Sequence, residues 1–490
     1  MKPASIPSVT DYYDWLSPIL VKELRQGLRS RVFLLLFCLL QFFLLVVLLS
    51  GIGSAGAGQS LDANRAFFWL LVAIPIGVIT PLQAISAFSQ ERENQNLEAI
   101  LLTRMRPRQI VFGKWWALFS IALLMGVSAL PYAVTRYFLG SVDVLAEVTS
   151  LAFLLLSSAV FTMGGLVLSL MCGRVMRFLV MAAAVVGLFG FWSATLLSSR
   201  SGVAAIAMPT WIDAVALVVA ALLMFLILLE NGAARVGSAV ENHATRQRLF
   251  LAGIAIYLFV CGANERLFTF SSGIMIILGL FFLVIMALMP VEPIVHSSSV
   301  YRPFVKKGML GRLAGIFLYP GWPSGVAYCA LMLPILAISL LTLSYNNSSF
   351  RITDWPAIVH GILAVIGVLF FPAAVYHLIK RKLRVPGEAV LLPLHTIQAV
   401  MSIVLFAFHN NAGSGLAGGA VRFLTGFLPT TQLLAISSGD WAEDYPETIF
   451  TLAVTDVVSL AILIVLASKA FRRQIRPLEA LAVPSTHAVS

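Results

Sequence analysis

From Val32 to Gly53 the chain runs without one charged residue, and runs of similar length recur along it. About 20 apolar residues in helical form span the ~30 Å hydrocarbon layer of a bilayer. Inside that layer only helices and closed barrels satisfy their own backbone hydrogen bonds, and runs of this length read as helices. By this measure the spans are Val32–Gly53, Ala66–Phe88, Trp115–Arg136, Val148–Met171, Arg177–Leu197 and Trp211–Glu230 in the first half. The second half holds Leu249–Asn264, Phe268–Pro290, Ser324–Ser344, Pro356–Leu378, Glu388–His409 and Thr448–Ala467. Leu249–Asn264 is short, and is expected to pair with Phe268–Pro290 as a hairpin dipping partway. The expected fold is all-α, a polytopic membrane helix bundle of about 12 transmembrane helices. Composition agrees: 59% of the 490 residues are hydrophobic and 11% charged, against roughly 25% charged in soluble domains.

The basic residues orient these spans. With a cytoplasmic N-terminus and alternating spans, the outer loops keep only Arg65, Arg136, Arg200, Arg266, Arg351 and Arg422. The other 27 of the 33 basic residues fall inside, as the positive-inside rule requires. Both termini are therefore expected in the cytoplasm, and the first span is expected to stay as an uncleaved anchor. The net charge of +11 is spread over these clusters, so a nucleic-acid partner is not expected. The outer segment 410–447 carries an apolar stretch, Phe423–Ile436, broken by Pro429, which reads as re-entrant. Its acids Asp440, Glu443, Asp444 and Glu447 read as a solvated rim. The four cysteines show no C-x-x-C spacing, which argues against metal or redox chemistry.

Two segments on the cytoplasmic side are more than connectors. In Pro18–Arg31, Leu20, Val21, Leu24 and Leu28 share one helical face, and Lys22, Arg25, Gln26 and Arg29 the other. A basic face opposite an apolar stripe describes a helix lying in the membrane interface. In Gln90–Lys114, Leu97, Ile100 and Leu101 follow helical spacing across Leu97–Thr103. Glu91, Arg92, Glu93 and Glu98 lie before or within it, Arg104, Arg106 and Arg108 after it, and Pro107 ends it.

These two segments resemble those of a known family, the permease subunits of ATP-binding-cassette (ABC) transporters of the type-two exporter class. Pro18–Arg25 is similar to that family's elbow helix, P-I-hydrophobic-x-K-E-L-R. Glu91-Arg92-Glu93, Leu97-Glu98, Leu101-Leu102-Thr103 and Gly113-Lys114 are similar to its coupling segment; Gln95-Asn96 and Arg104 depart from it. The resemblance is good over Ser17–Tyr137 and thin after Glu230. It implies an elbow helix built on Leu20, Lys22, Glu23, Leu24, Arg25, Leu28 and Arg29. It also implies a cytosolic ABC ATPase partner docked on 90–114, with ATP and Mg held on that partner and no cofactor in this chain. The location it implies is a prokaryotic plasma (inner) membrane. The domain order expected is elbow region 1–31, first six-span unit 32–230, linker 231–248, second six-span unit 249–470 and cytoplasmic tail 471–490. Whether two copies pair, or the two halves form one pseudo-dimer, stays open.

No G-x-x-x-x-G-K-[ST] phosphate loop occurs, so the chain is not expected to be an ATPase or another enzyme. The rival reading is a membrane scaffold or polytopic enzyme handling haem or lipid. His395 and His409 return to one helical face, but His360 and His377 do not match them, so all four read as interfacial. Tyr132, Arg136 and Tyr137 read as outer interface anchors.

The topology is testable by cysteine accessibility in intact cells, once the four native cysteines are replaced. A cysteine at Asn411 is expected to react with an impermeant reagent, and one at Ser485 to stay unlabelled until the membrane is opened.

Overall fold

The computed structural model describes residues 18–56, 62–88, 105–138, 144–171, 211–237, 241–264, 278–279, 281–346, 355–380, 387, 390–391, 394–395, 397–398, 401 and 446–482. Among them there is no strand, and nine helices are long and apolar enough to cross a membrane. The chain is a multi-pass helical membrane protein. The expected coupling helix Leu97–Thr103, the span Arg177–Leu197, most of Glu388–His409 and segment 410–445 lie outside the described residues. The chain divides into two compact units, Met1–Ser238 and Ala239–Ser490.

The first unit opens with α1, Pro18–Arg29. Its Leu20 is buried and its Lys22, Arg25 and Arg29 are exposed, so the apolar stripe faces α5, Pro107–Phe138. A single residue separates α1 from α2, Arg31–Gly56. That residue is Ser30, whose Oγ accepts from the Phe33 N–H at 3.1 Å and so caps α2. Along α2 a narrow stripe, Phe33, Leu40, Leu44 and Gly51, is buried. Leu34, Leu35, Phe42 and Leu49 face outward, as lipid contact allows.

The second span is not one regular helix. Between α3, Asp62–Ala73, and α4, Thr80–Ala84, the backbone widens into a π turn at Ile74–Ile79. Pro75 lacks the N–H a regular helix would use, and π turns often mark such insertions. Carbonyls displaced by the turn find other donors. Thr80 Oγ1 donates to Pro75 O at 2.9 Å, and Ser158 Oγ of α6, Val144–Met171, donates to Ile76 O at 2.6 Å. The last span of this unit is α7, Trp211–Val236.

In the second unit, α8 runs over Ala244–Ala263, a continuous helix of 20 residues long enough to cross the membrane alone. The half-depth reading began the span too late, at Leu249, because Arg246 and Arg248 look like a loop. The short apolar helix Phe281–Val291 and α9, Arg302–Val305, then lead to α10, Gly308–Leu318. The spans α11, Trp322–Asn346, α12, Trp355–Ile379, and α13, Pro446–Ala470, follow. At the start of the expected tail, a π turn at Phe471–Ile475 continues α13 into α14, Arg476–Ala482. Ile475 and Ala482 join Val300, Tyr301, Val305 and Tyr319 in one cluster.

Gly165 of α6 tests how close the helices of the first unit come. A Cβ there would lie 2.6 Å from Pro81 O and 3.1 Å from Ala84 Cβ, and backbone cannot yield. Gly165→Ala is expected to cost about 1–3 kcal/mol by overpacking, despite alanine's better helix propensity. Gly53→Ala, with nothing within 4 Å, is expected to be neutral or slightly stabilising. Thermal unfolding midpoints in detergent distinguish the two.

Candidate functional site

Two of the expected coupling residues, Arg106 and Arg108, fall among the described residues, and they sit at the start of α5. Glu91, Arg92, Glu93, Leu97, Glu98, Ile100, Leu101 and Arg104 lie outside them. What the structure defines is the frame on which that segment is hung. Pro107 takes the first helical position, where its missing N–H costs nothing. The Arg106 N–H donates to Gln109 Oε1 at 3.0 Å, the reciprocal half of a capping box. Arg106 itself is exposed.

About two turns further on, Lys114 is 3% exposed. A buried ammonium must find partners, and it finds three. Its Nζ donates to Glu23 Oε1 of α1 at 3.1 Å and to Ala87 O at 3.2 Å, and it lies 5.0 Å over the Phe88 ring. Ala87 and Phe88 are the last described residues before the segment, and Lys114 is its last residue. One side chain thus joins both feet of the segment to α1. Of the expected elbow residues, Glu23 joins the site. Leu20, Leu24 and Leu28 lie buried or half-buried, and Lys22, Arg25 and Arg29 point to the exposed side.

The second tie was not anticipated. Arg108 forms an ion pair with Glu230 near the end of α7, and Glu230 is 2% exposed. The approach is made possible by Gly232, where a Cβ would meet Val111 Cγ1 of α5 at 3.0 Å. In the sequence, Glu230 shows only as an acid closing an apolar run. Beneath α1 a cavity lies between α1, α2, the second span and α5, with Glu23, Gln26, Thr80 and Gln83 among its polar lining.

At the far end of α5, Arg136 is 4% exposed. It pairs with Glu147 of α6 at 3.5 Å and stacks 4.4 Å from the Phe68 ring. It is a buried partner of an acid, whereas Tyr132 is half-buried and Tyr137 exposed.

The second unit holds a polar cluster that sequence reasoning missed. Arg248 is fully buried. Its guanidinium donates to Phe317 O at 2.8 Å, Gly321 O at 3.3 Å, Tyr319 O and Glu292 Oε2 at 2.6 Å. The Tyr319 hydroxyl donates to Glu479 Oε1 at 2.6 Å. Burial, then the bond to Glu479, raises the Tyr319 pKa well above the usual phenol range. Burial pushes that of Tyr301 up to about 12, so both phenols keep their protons at working pH. His377 Nε2 lies 2.7 Å from Pro290 O. The His395 nitrogens lie 2.9 Å from Leu391 O and 3.2 Å from Val368 O. Both rings are thus tied to backbone. Asp456, inside α13, is 1% exposed, and neither of its carboxyl oxygens has a hydrogen-bond partner among the described residues. Among the described residues no group of three or more His, Cys, Asp and Glu side chains could hold a metal ion.

Comparison of the chain with protein-family models, curated proteins and solved structures finds no match.

The Lys114–Glu23 pair predicts an asymmetry. Glu23→Ala removes a carboxylate from a buried ammonium and is expected to cost about 3 kcal/mol. Lys114→Met leaves a carboxylate that is 24% exposed and still reachable by water, so the expected cost is about 1 kcal/mol. Detergent unfolding of both single variants and the double variant measures the coupling.

Proposed function

We propose that this chain is the membrane-spanning permease subunit of an ATP-driven ABC transporter of the exporter class. In this reading a separate cytosolic ATPase docks on 90–114, and substrate moves by alternating access. The observation that supports it best is the position of Lys114, whose bonds to Glu23 and Ala87 O tie both feet of the segment to α1. A docking segment that transmits movement needs stiff attachments, because a flexible one would absorb the displacement. The Arg108–Glu230 pair adds a second strut, to α7. Added to these is the resemblance of Pro18–Arg25 and Glu91–Lys114 to the elbow and coupling segments of that family. ATP and Mg belong to the partner ATPase, since the chain has no phosphate loop. The chain itself is a transport subunit and not an enzyme, seated in a prokaryotic plasma membrane with both termini in the cytoplasm.

The test is copurification of a cytosolic ABC ATPase coexpressed with the chain. Leu101→Asp puts an unpaired charge among the apolar anchors, and such anchors dominate interface energies. Retained ATPase is expected to fall at least about tenfold, with membrane insertion unchanged. Arg106→Glu is expected to weaken retention less, and more so at low salt, because its side chain is exposed. Arg108 is a poor probe, since reversing it would also set two acids together at Glu230. Leu24→Asp is the control for seating of α1. Undiminished ATPase with Leu101→Asp, or saturable ATP binding by the chain alone, would overturn the proposal.

A further inference from the structure

The helix α10 is amphipathic in the wrong sense for a water-soluble surface. Its inner face is glycine: a methyl group at Gly311 would run into the Phe304 carbonyl oxygen, and one at Gly315 into the Tyr319 ring. Its outer face carries Met309 at 85%, Leu310 at 80% and Leu313 at 56% exposure. The helix cannot roll to hide them. Its C-terminal carbonyls are held by α8, with Thr245 Oγ1 on Leu318 O at 2.8 Å and Arg248 Nη1 on Phe317 O at 2.8 Å. Turning α10 would break these bonds and drive large side chains into the space that only glycine fits.

The same bonds fix its depth. Thr245 and Arg248 lie in the first turns of the span Ala244–Ala263, and the span α11 starts at Trp322, directly after α10 and a short turn. The end of α10 therefore lies at the level where two spans begin. Eleven residues of helix cover about 16 Å, too little to cross the bilayer. At and before its N-terminus, Arg302, Lys306 and Lys307 are exposed. No acid occurs in the sequence between Glu292 and Asp354, and Glu292 is taken up by Arg248.

We propose that Gly308–Leu318 is seated in the headgroup layer of an anionic lipid leaflet, with Met309, Leu310 and Leu313 at the acyl boundary and Arg302, Lys306 and Lys307 on lipid phosphates. An apolar arc at the membrane boundary beside three exposed cations fits negatively charged lipid. Lipid is the phase already present at that depth. This inference does not depend on the ATPase reading.

The experiment uses the full chain with Cys38, Cys172, Cys261 and Cys329 replaced, spin-labelled at Leu313→Cys. Leu310→Cys serves if the first variant fails to fold. The protein is reconstituted in vesicles of phosphatidylcholine and phosphatidylglycerol. The label is expected to collide more with oxygen than with a water-soluble nickel chelate, and a label at Lys307→Cys to show the reverse. Fluorescent phosphatidylglycerol is expected near the label at least about twofold above phosphatidylcholine, and Lys306→Gln with Lys307→Gln should abolish that excess. Dominant nickel collision at Leu313→Cys would make the helix a surface for a soluble partner. Shielding from both agents would mean that protein covers it, and equal contact with both lipids would remove the anionic requirement; each of these overturns the proposal.

Discussion

Taking a cation out of water costs several kcal/mol even after relaxation, so wherever this chain buries one, the groups around it are fixed. In the first unit the cations of α5 do this at both ends. Buried Lys114 holds Glu23 of α1 and buried Arg136 holds Glu147 of α6, while the part-exposed Arg108 pairs with the buried Glu230 of α7. Between the ends, α5 presents Ile121, Ala122, Met125 and Ala129 to the core shared with α2 and the second span. Helix α5 is thus a spine whose charged ends choose its neighbours and whose apolar middle packs them. In the second unit Arg248 has the same organising role, but with four acceptors spread over Glu292–Gly321. It orders irregular backbone rather than joining one helix to another.

Close packing between the spans follows from the solvent. Lipid gives apolar side chains no reason to prefer each other, so association rests on fit and on interhelical hydrogen bonds. The first unit shows both. Gly165 lets α6 approach the backbone of α4, and Gly126 sits among Leu151, Leu155 and Ile76. Gln41 donates to Ser128 at 2.8 Å, and Trp115 Nε1 donates to Ala159 O at 2.9 Å. Ser158 completes the set by reaching the backbone of the π turn. The irregular turn persists inside the bundle because a neighbouring helix supplies the missing donor.

The spans were legible because an apolar run of membrane length has few other uses, and nine of the expected twelve correspond to helices of spanning length among the described residues. Helix α1 was legible through the periodicity of Leu20, Leu24 and Leu28. The ends of the helices were not. Pro107–Lys114 and Ala244–Arg248 read as loops because charge normally ends a span, yet Lys114 and Arg248 are among the most buried side chains. Their partners are 91 and 44 residues away, at Glu23 and Glu292, and no local pattern reveals a pairing at that distance. Helix α10 escaped notice because its inward face is glycine, so its leucines mark the outer side. Of the candidate coupling residues, the sequence pattern alone supports the eight that lie outside the described residues.

Tyr319 shows why a buried cation near a membrane boundary shapes more than its own contacts. Its carbonyl accepts from Arg248, its ring closes against Gly315, and its hydroxyl donates to Glu479 of α14. The three interactions belong to different parts of one residue, so satisfying Arg248 also sets the ring and the hydroxyl. The ring admits α10 only with glycine at its inner face, which turns the larger side chains outward. The hydroxyl brings α14 back onto the cluster of Tyr301, Val305 and Ile475. The outward arc of α10 and the docked end of α14 are therefore two consequences of one desolvated guanidinium, reached through a single tyrosine.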